Sequence, residues 1–384
     1  MKVLHIIDTF WLGGAQSLLK SYFEAETMNR DIHLYSLRST VPSISIRHNN
    51  VCCYNSNSRY SPGPLKALST IVKKKNIQVL HCHLPRSQAF GYLVKRLFHP
   101  NLTLIFHDHG DIFEKGVLLP ILLRFFEPHV DQFIACSKAV RERLMDRARI
   151  PEGKIKVIYN FVDAEKFSPT ELSKNVELEK SGLGIEPDDF VVGFAGRLVK
   201  RKGWREFVKI AHRFKSHGFD GQLERKVKFL IAGIGPDIDK MKRLIDNYGL
   251  NVSVTYVGYL DDMKSFYALL NCLVMPSHWE GHPVTQLESL ALGIPVVCSN
   301  SPGLSEVTTD NSDVLYAQSG NIEMFYDKIC LIASDEELRN KLSSTGIITS
   351  KRFNLSKFTA SINRVYNHSS LIKPFKRKTI DIVT

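Results

Sequence analysis

No apolar run in this 384-residue chain approaches the roughly 18 residues a membrane-spanning helix needs. The opening MKVLHIIDTF carries one Lys and a short apolar stretch, but Asp8 follows at once and no small-residue cleavage site appears. It reads as a first β-strand, not a signal peptide, and a cytoplasmic location is expected. Cysteine is sparse and unpatterned: seven residues, an odd number, without zinc-ligand spacing or a disulfide framework. Cys82, Cys136, Cys272 and Cys298 lie in apolar, strand-like stretches and are expected as buried free thiols. The loop Phe10–Gln16 (FWLGGAQ) lacks both the Lys-Ser/Thr of a P-loop and the third glycine of a dinucleotide fingerprint. No paired-aspartate metal motif stands out, because Asp261-Asp262 reads as a cap for a helix starting at Met263. RNA- and DNA-binding motifs are also missing, so neither a metal nor a nucleic acid is an expected partner.

What is present is a soluble globular composition, 43% hydrophobic and 23% charged, long enough for two domains. The net charge is +12, with most of the excess in the first 170 residues. Such a surplus favours anionic partners such as phosphates or an anionic membrane face, and serves equally for solubility. Short β-branched runs (Val3–Ile7, His33–Leu37, Val79–Cys82, Leu102–Phe106, Gln132–Cys136, Lys156–Tyr159) alternate with amphipathic stretches, the pattern of a parallel sheet wrapped by helices. The polar stretch 164–189 reads as a linker or exposed excursion. A second αβ series follows, with strands at Phe190–Phe194, Val227–Ala232, Val252–Val257, Cys272–Met275 and Val296–Ser299. The predicted organisation is therefore two Rossmann-like domains, 1–163 and 164–350. Residues 351–384 form a helix and a basic tail, and the helix is expected to cross back to the first domain. Ligands of open αβ sheets bind beyond the carboxyl ends of the strands, so the loops after strands deserve the closest reading.

One such loop, Ser277–Pro295 (SHWEGHPVTQLESLALGIP), runs into a helix for which Pro283 suits the first position. The N–H groups of Val284, Thr285 and Gln286 would form an anion-binding helix end. Glu280 precedes that end and Glu288 lies inside the helix, while Gly281 permits close backbone approach. A second loop, Gly193–Gly203 (GFAGRLVKRKG), projects Arg197 and Lys202 where a diphosphate would sit, with Lys200 and Arg201 read as solvated. A third, FHDHGD, carries His107 and His109 on one face. The apolar Val117–Phe126 (VLLPILLRFF) reads first as a helix buried against the sheet, and otherwise as a membrane-facing element.

These motifs resemble those of glycosyltransferase family 4, retaining glycosyltransferases of the GT-B fold, over about residues 3–320. Glu280 to Glu288 is similar to the family's E-x7-E segment. The resemblance implies that Glu280 contacts the donor hexose, Glu288 holds the ribose, and Gly281, His282, Pro283, Val284 and Thr285 surround sugar and phosphate. GRLVKRKG resembles the segment whose Arg and Lys, here Arg197 and Lys202, stabilise the leaving diphosphate. GGAQ matches the loop in which Gly13 and Gly14 let backbone approach the donor. HG places His109 against the transferred sugar, with His107 the alternative. GIGP puts Gly233 near the base. Ser137, Asn160 and Asp163 fit the interdomain segment, where Phe161 replaces a usual Gly, and Glu306 falls near the diphosphate. The implied activity is metal-independent transfer of a hexose or N-acetylhexosamine from a nucleotide diphosphate sugar, UDP favoured and GDP next. The acceptor is a saccharide or lipid-linked saccharide of surface polysaccharide or lipopolysaccharide synthesis, reached by a monomer or dimer with peripheral contact to the inner face of the cell membrane. A sugar-nucleotide epimerase of the same fold and a non-catalytic binding paralogue are the alternatives.

Overall fold

The computed structural model describes residues 1–371 except 12, 27–30, 40–44, 47, 56–60, 115, 170–179 and 220–225, and the basic tail 372–384 lies outside the described residues. Seven strands build the first sheet: β1 (Val3–Thr9), β2 (Ile32–Arg38), β3 (Val51–Cys53), β4 (Val79–His83), β5 (Thr103–Asp108), β6 (Gln132–Ala135) and β7 (Ile155–Val157). Their order is β3-β2-β1-β4-β5-β6-β7, all parallel. Helices α1 (Gly14–Ala25), α2 (Gly63–Lys75), α3 (Pro85–Leu97), α4 (Leu118–Phe126) and α5 (Lys138–Ala148) make the crossovers. The inner strands are near-continuous apolar runs because helices cover both faces of a parallel sheet.

The second sheet repeats the plan with β8 (Phe190–Ala195), β9 (Val227–Ala232), β10 (Val254–Gly258), β11 (Cys272–Met275), β12 (Val296–Ser299) and β13 (Leu315–Ala317), in the order β10-β9-β8-β11-β12-β13. Around it lie α6 (Trp204–His217), α7 (Ile238–Asn247), α8 (Met263–Ala268), α9 (Val284–Ala291), α10 (Ile322–Ser334) and α11 (Glu336–Ser350). Strand order reverses at β1/β4 in one sheet and at β8/β11 in the other. These switch points open the crevices in which such folds hold ligands. Asp262 accepts from Lys264 N at 3.1 Å and caps α8, as its sequence suggests.

Helix α12 (Leu355–Leu371) returns to the first sheet, where Phe358, Ile362, Val365 and Tyr366 share a core with Val3, Ile7, Leu34, Val79 and Ile105. Phe161 packs on Phe358 at 4.9 Å between ring centroids, which gives its bulk a place where a glycine would leave a gap. Phe167 and Ile185, inside the stretch read as a linker, are buried in the second core.

The buried-helix expectation for α4 needs correction. Leu119, Pro120, Leu123 and Phe126 are buried, but Leu118, Ile121 and Phe125 expose 65%, 62% and 63% of their surface, and Val117 just before them 75%. A helix apolar on both faces gives no periodicity from which burial can be read. Here one face has a layer beneath it and the other has nothing described above it. Leu97 and Phe98 at the end of α3 extend the exposed apolar surface, and Tyr92 of α3 meets Phe125 at 5.8 Å.

Candidate active site

The loops after β1, β5, β8 and β11 converge between the two sheets. Helix α9 starts one residue later than its sequence suggests: Pro283, extended at φ −74° and ψ 124°, is the N-cap, and Val284 is the first helical residue. No side chain among the described residues caps this end. The hydroxyl of Thr285 in its first turn is buried without a hydrogen-bond partner among the described residues. An uncapped helix start with an idle hydroxyl is suited to an anion. A turn further on, Glu288 Oε2 accepts from the Tyr267 hydroxyl at 2.9 Å. Burial pushes the Glu288 carboxyl up to about 7, against the opposing pulls of Tyr267 and Lys166.

Glu280 is held on all sides. Its Oε1 accepts from Lys202 Nζ at 2.6 Å and Ser277 Oγ at 2.8 Å, and its Oε2 from Arg201 Nη1 at 3.2 Å. Burial alone would raise this carboxyl, but Lys202 and Arg201 outweigh it and leave Glu280 below its ordinary value. Burial lowers Lys202 in turn, with Glu280 pulling the other way. The reading of Arg201 as solvated is therefore wrong. Its guanidinium also binds Glu114 across the crevice and lies 4.5 Å from the Trp279 ring centroid. Trp279 stacks on Phe113 of the opposite domain at 4.8 Å. Beside this stack opens a groove of about 380 Å³ lined by Phe113, Glu114, Val199, Lys200, Arg201, His278 and Trp279. Arg197 is exposed and has no ion-pair partner among the described residues.

Gly281 explains how the two halves meet. A Cβ there would stand 2.6 Å from the His109 carbonyl oxygen and 2.9 Å from Cys136 Sγ, so only glycine lets these loops touch. This contact brings half-buried His109 beside the Glu280–His282 segment, whereas His107 is fully buried. The rings of His107 and His109 stack at 4.1 Å, as their alternation predicts.

Of the secondary positions, Asn160 N donates to His282 Nδ1 at 2.9 Å and Asn160 Nδ2 to the His282 carbonyl at 2.6 Å, which ties the domains together. With Nδ1 accepting and the ring kept neutral by burial, at about 3, the His282 proton sits on Nε2, a buried nitrogen without a partner among the described residues. Ser137 caps α5, accepting from Val140 N at 3.2 Å. Glu306 is engaged between the domains. Its carboxylate accepts from Lys138 N at 2.6 Å, Ala139 N at 3.0 Å and the Tyr159 hydroxyl at 2.7 Å, sealing the start of α5 from the other domain. A side chain on Gly233 would strike the Gly196 carbonyl, so backbone packing alone accounts for that glycine. A Cβ on Gly14, at the start of α1, would meet nothing within 4 Å; Gly13 precedes it as N-cap in extended backbone. Asp163 turns the chain, accepting from Glu165 N and Lys166 N at 3.1 Å each.

The sequence reading missed His5, His81 and His83. With His107 and His109 they form a row across β1, β4 and β5, and two triples among them have ligand nitrogens within 4.8 Å of one another. The HCH of β4 beside the HDH of β5 was the available signal, but it needs the strand register to be read.

Two parallel-sheet domains facing one crevice define a GT-B glycosyltransferase architecture. One solved relative in fold is Alr3699/HepE of Anabaena in complex with UDP and glucose, with a TM-score of 0.83 at 16% identity, covering 96% of this chain and 99% of that one. The model of glycosyl transferases group 1 matches residues 175–348, and that of glycosyltransferase family 4 matches residues 30–166. The chain belongs to this family of glycosyltransferases. Among curated relatives, the capsular polysaccharide biosynthesis glycosyltransferase CapM of Staphylococcus aureus is 28% identical over 56% of this chain and 55% of its own. The UDP-Gal:alpha-D-GlcNAc-diphosphoundecaprenol alpha-1,3-galactosyltransferase of Escherichia coli is 24% identical over 71% of each chain. The chain spans about half the length of the first curated relatives it matches.

Proposed function

We propose that this protein transfers a hexose or N-acetylhexosamine, with retention of configuration and without a metal, from a UDP-sugar to a saccharide or lipid-linked saccharide. The observation that carries this reading is the uncapped start of α9, with the idle Thr285 hydroxyl at its tip and the half-buried Glu288 one turn on. The helix end takes the diphosphate, Glu288 takes the ribose hydroxyls, and Arg197 and Lys202 add fixed positive charge where the leaving group gains negative charge. In the reaction the bond from C1 to the diphosphate oxygen breaks, and a bond from C1 to the acceptor oxygen forms on the same face. The departing phosphate takes the acceptor proton. Glu280 does not serve as a free nucleophile, because both its oxygens are engaged by cations. The UDP complex of Alr3699/HepE and the diphosphoundecaprenol-linked acceptor of the Escherichia coli galactosyltransferase support UDP as carrier and an undecaprenol-linked acceptor as the class, in surface polysaccharide or lipopolysaccharide synthesis.

Membrane contact at the inner face of the cell membrane fits the same reading. No helix among the described residues is long and apolar enough to cross a membrane. The exposed apolar face of α4 and the end of α3, with Arg96 and Arg124 exposed beside it, is suited to an anionic bilayer surface carrying the acceptor.

The test is to incubate the protein with UDP-glucose, UDP-galactose, UDP-N-acetylglucosamine and GDP-mannose, with chelator and a diphospholipid-linked sugar acceptor. Anomeric proton couplings of the product then give its configuration. A product with the donor's own anomeric configuration is expected. An inverted product refutes the retaining mechanism, and a free epimerised sugar nucleotide identifies an epimerase instead.

A further inference from the structure

Beneath the candidate site, five histidines and one tyrosine form a single hydrogen-bonded line. His107 Nδ1 meets His81 Nε2 at 3.2 Å, and His81 Nδ1 meets the Tyr366 hydroxyl at 2.7 Å. That hydroxyl meets His5 Nε2 at 3.1 Å, His5 Nδ1 meets His83 Nε2 at 3.0 Å, and His83 Nδ1 meets His109 Nε2 at 3.0 Å. The strands set this order: His5 lies opposite His81 between β1 and β4, and His83 opposite His107 between β4 and β5. Tyr366 arrives from α12, at the far end of the sequence.

Burial keeps all five rings neutral, His5 at about 3, His109 at about 4, and His81, His83 and His107 well below the usual value. Each neutral imidazole brings one N–H and the phenol one O–H, so six protons serve five bonds. One proton is left over, and with every bond made it has three places to sit. On His107 Nε2 it would be a buried N–H without a partner among the described residues. On Tyr366, accepting from both neighbours, it would be a buried O–H without one, since that residue is 1% exposed. On His109 Nδ1 it reaches the half-buried end of the line, beside the crevice. An unpaired buried donor is disfavoured by about tenfold or more.

We infer that this line makes His109 a hydrogen-bond donor, through Nδ1, to an oxygen lone pair of the substrate, with His5, His81, His83, His107 and Tyr366 as positioning residues. All five imidazoles then carry their proton on Nδ1, and the site favours a sugar oxygen over an ammonium substituent, which has no lone pair to offer. Metal binding by the same cluster is disfavoured. Coordination needs lone pairs from several rings aimed at one centre, whereas His83 Nδ1 and His109 Nε2 are already spent on each other at 3.0 Å. Only the nature of the substrate rests on the proposed transferase reading; the proton positions belong to the free protein.

Two-bond ¹H–¹⁵N correlation on the ligand-free protein labelled with [¹⁵N]histidine tests this. Five rings protonated on Nδ1, those of His5, His81, His83, His107 and His109, are expected. In Tyr366→Phe, His5, His83 and His109 should stay protonated on Nδ1, while His81 and His107, cut off from the crevice, become mixtures of both forms. A His109 protonated on Nε2 in the wild type overturns the inference, as does one equivalent of Zn²⁺ bound with shifted histidine nitrogens. His83→Leu should lower turnover about tenfold, and His83→Gln, whose amide can still donate to His109 Nε2, should restore most of it. Equal turnover in the two variants contradicts a positioning role. Five Nδ1–H rings in a protein that binds no nucleotide would leave this inference standing and remove the transferase reading.

Discussion

Glu288 is the residue whose environment speaks most directly to function. Burial places its carboxyl near 7, well above the 4.5 of a free glutamate. A raised carboxyl contributes stability that is complete below about 4.5 and is lost as pH climbs through about 7. Ribose hydroxyls donate best to the anion, so binding should run the opposite way. UDP affinity is expected to rise between pH 6 and pH 8, and Glu288→Gln should flatten that rise and weaken binding about tenfold at pH 8. Calorimetric titrations of both proteins across this range check it, and a parallel pH profile in the variant assigns the titration to another group. Glu280, Lys202 and His109 were legible as residue types in loops after strands, and Glu288 in the helix that one of these loops enters. Arg201 was not, because nothing in KRK distinguishes a guanidinium stacked on Trp279 from a solvated one. The interdomain contact of Glu306 was hidden for a related reason: its partners include backbone N–H groups of another domain, to which sequence patterns are blind.

At the scale of elements, the loops meet because glycine permits it. Gly281→Ala would press a Cβ against the His109 carbonyl 2.6 Å away, with backbone on both sides of the clash. A loss of about 1–3 kcal/mol in stability is expected, with transfer falling further than nucleotide binding. Denaturant melts and paired binding and transfer assays separate the two, and unaltered transfer would mean that the loops need not touch. Helix α4 offers an independent test. Ile121→Glu with Phe125→Glu changes residues 62% and 63% exposed, so stability should move by only about 0.5 kcal/mol per site. Sedimentation with anionic vesicles should be lost, whereas retained sedimentation assigns membrane contact elsewhere. The long strands were legible from β-branched runs, and the helices from the amphipathic stretches between them. β3 and β13, three residues each at sheet edges, offer too little alternation to read. The histidine line was hidden for another reason: its histidines sit on three strands or just past their ends, and only the strand register reveals that they touch.

The whole molecule depends on contacts between domains: α12 packs on the first sheet, as its sequence suggests, whereas Asn160 on His282 and Glu306 on the start of α5 are contacts that local sequence does not announce. Glu306→Ala strips two N–H groups at that helix start of their acceptor, a cost of about 1 kcal/mol. Small-angle scattering should then show a larger radius of gyration without nucleotide, and an unchanged radius would mean that the other contacts suffice. The two-domain plan itself was legible, because an αβ alternation that breaks and restarts admits few other architectures. What the plan serves is tested most directly by calorimetric binding of UDP, GDP, ADP and CMP to the purified protein with chelator present. Saturable binding of UDP without metal, lost in Glu288→Ala, is the predicted result. A folded protein that binds none of the four nucleotides would contradict a donor site at α9.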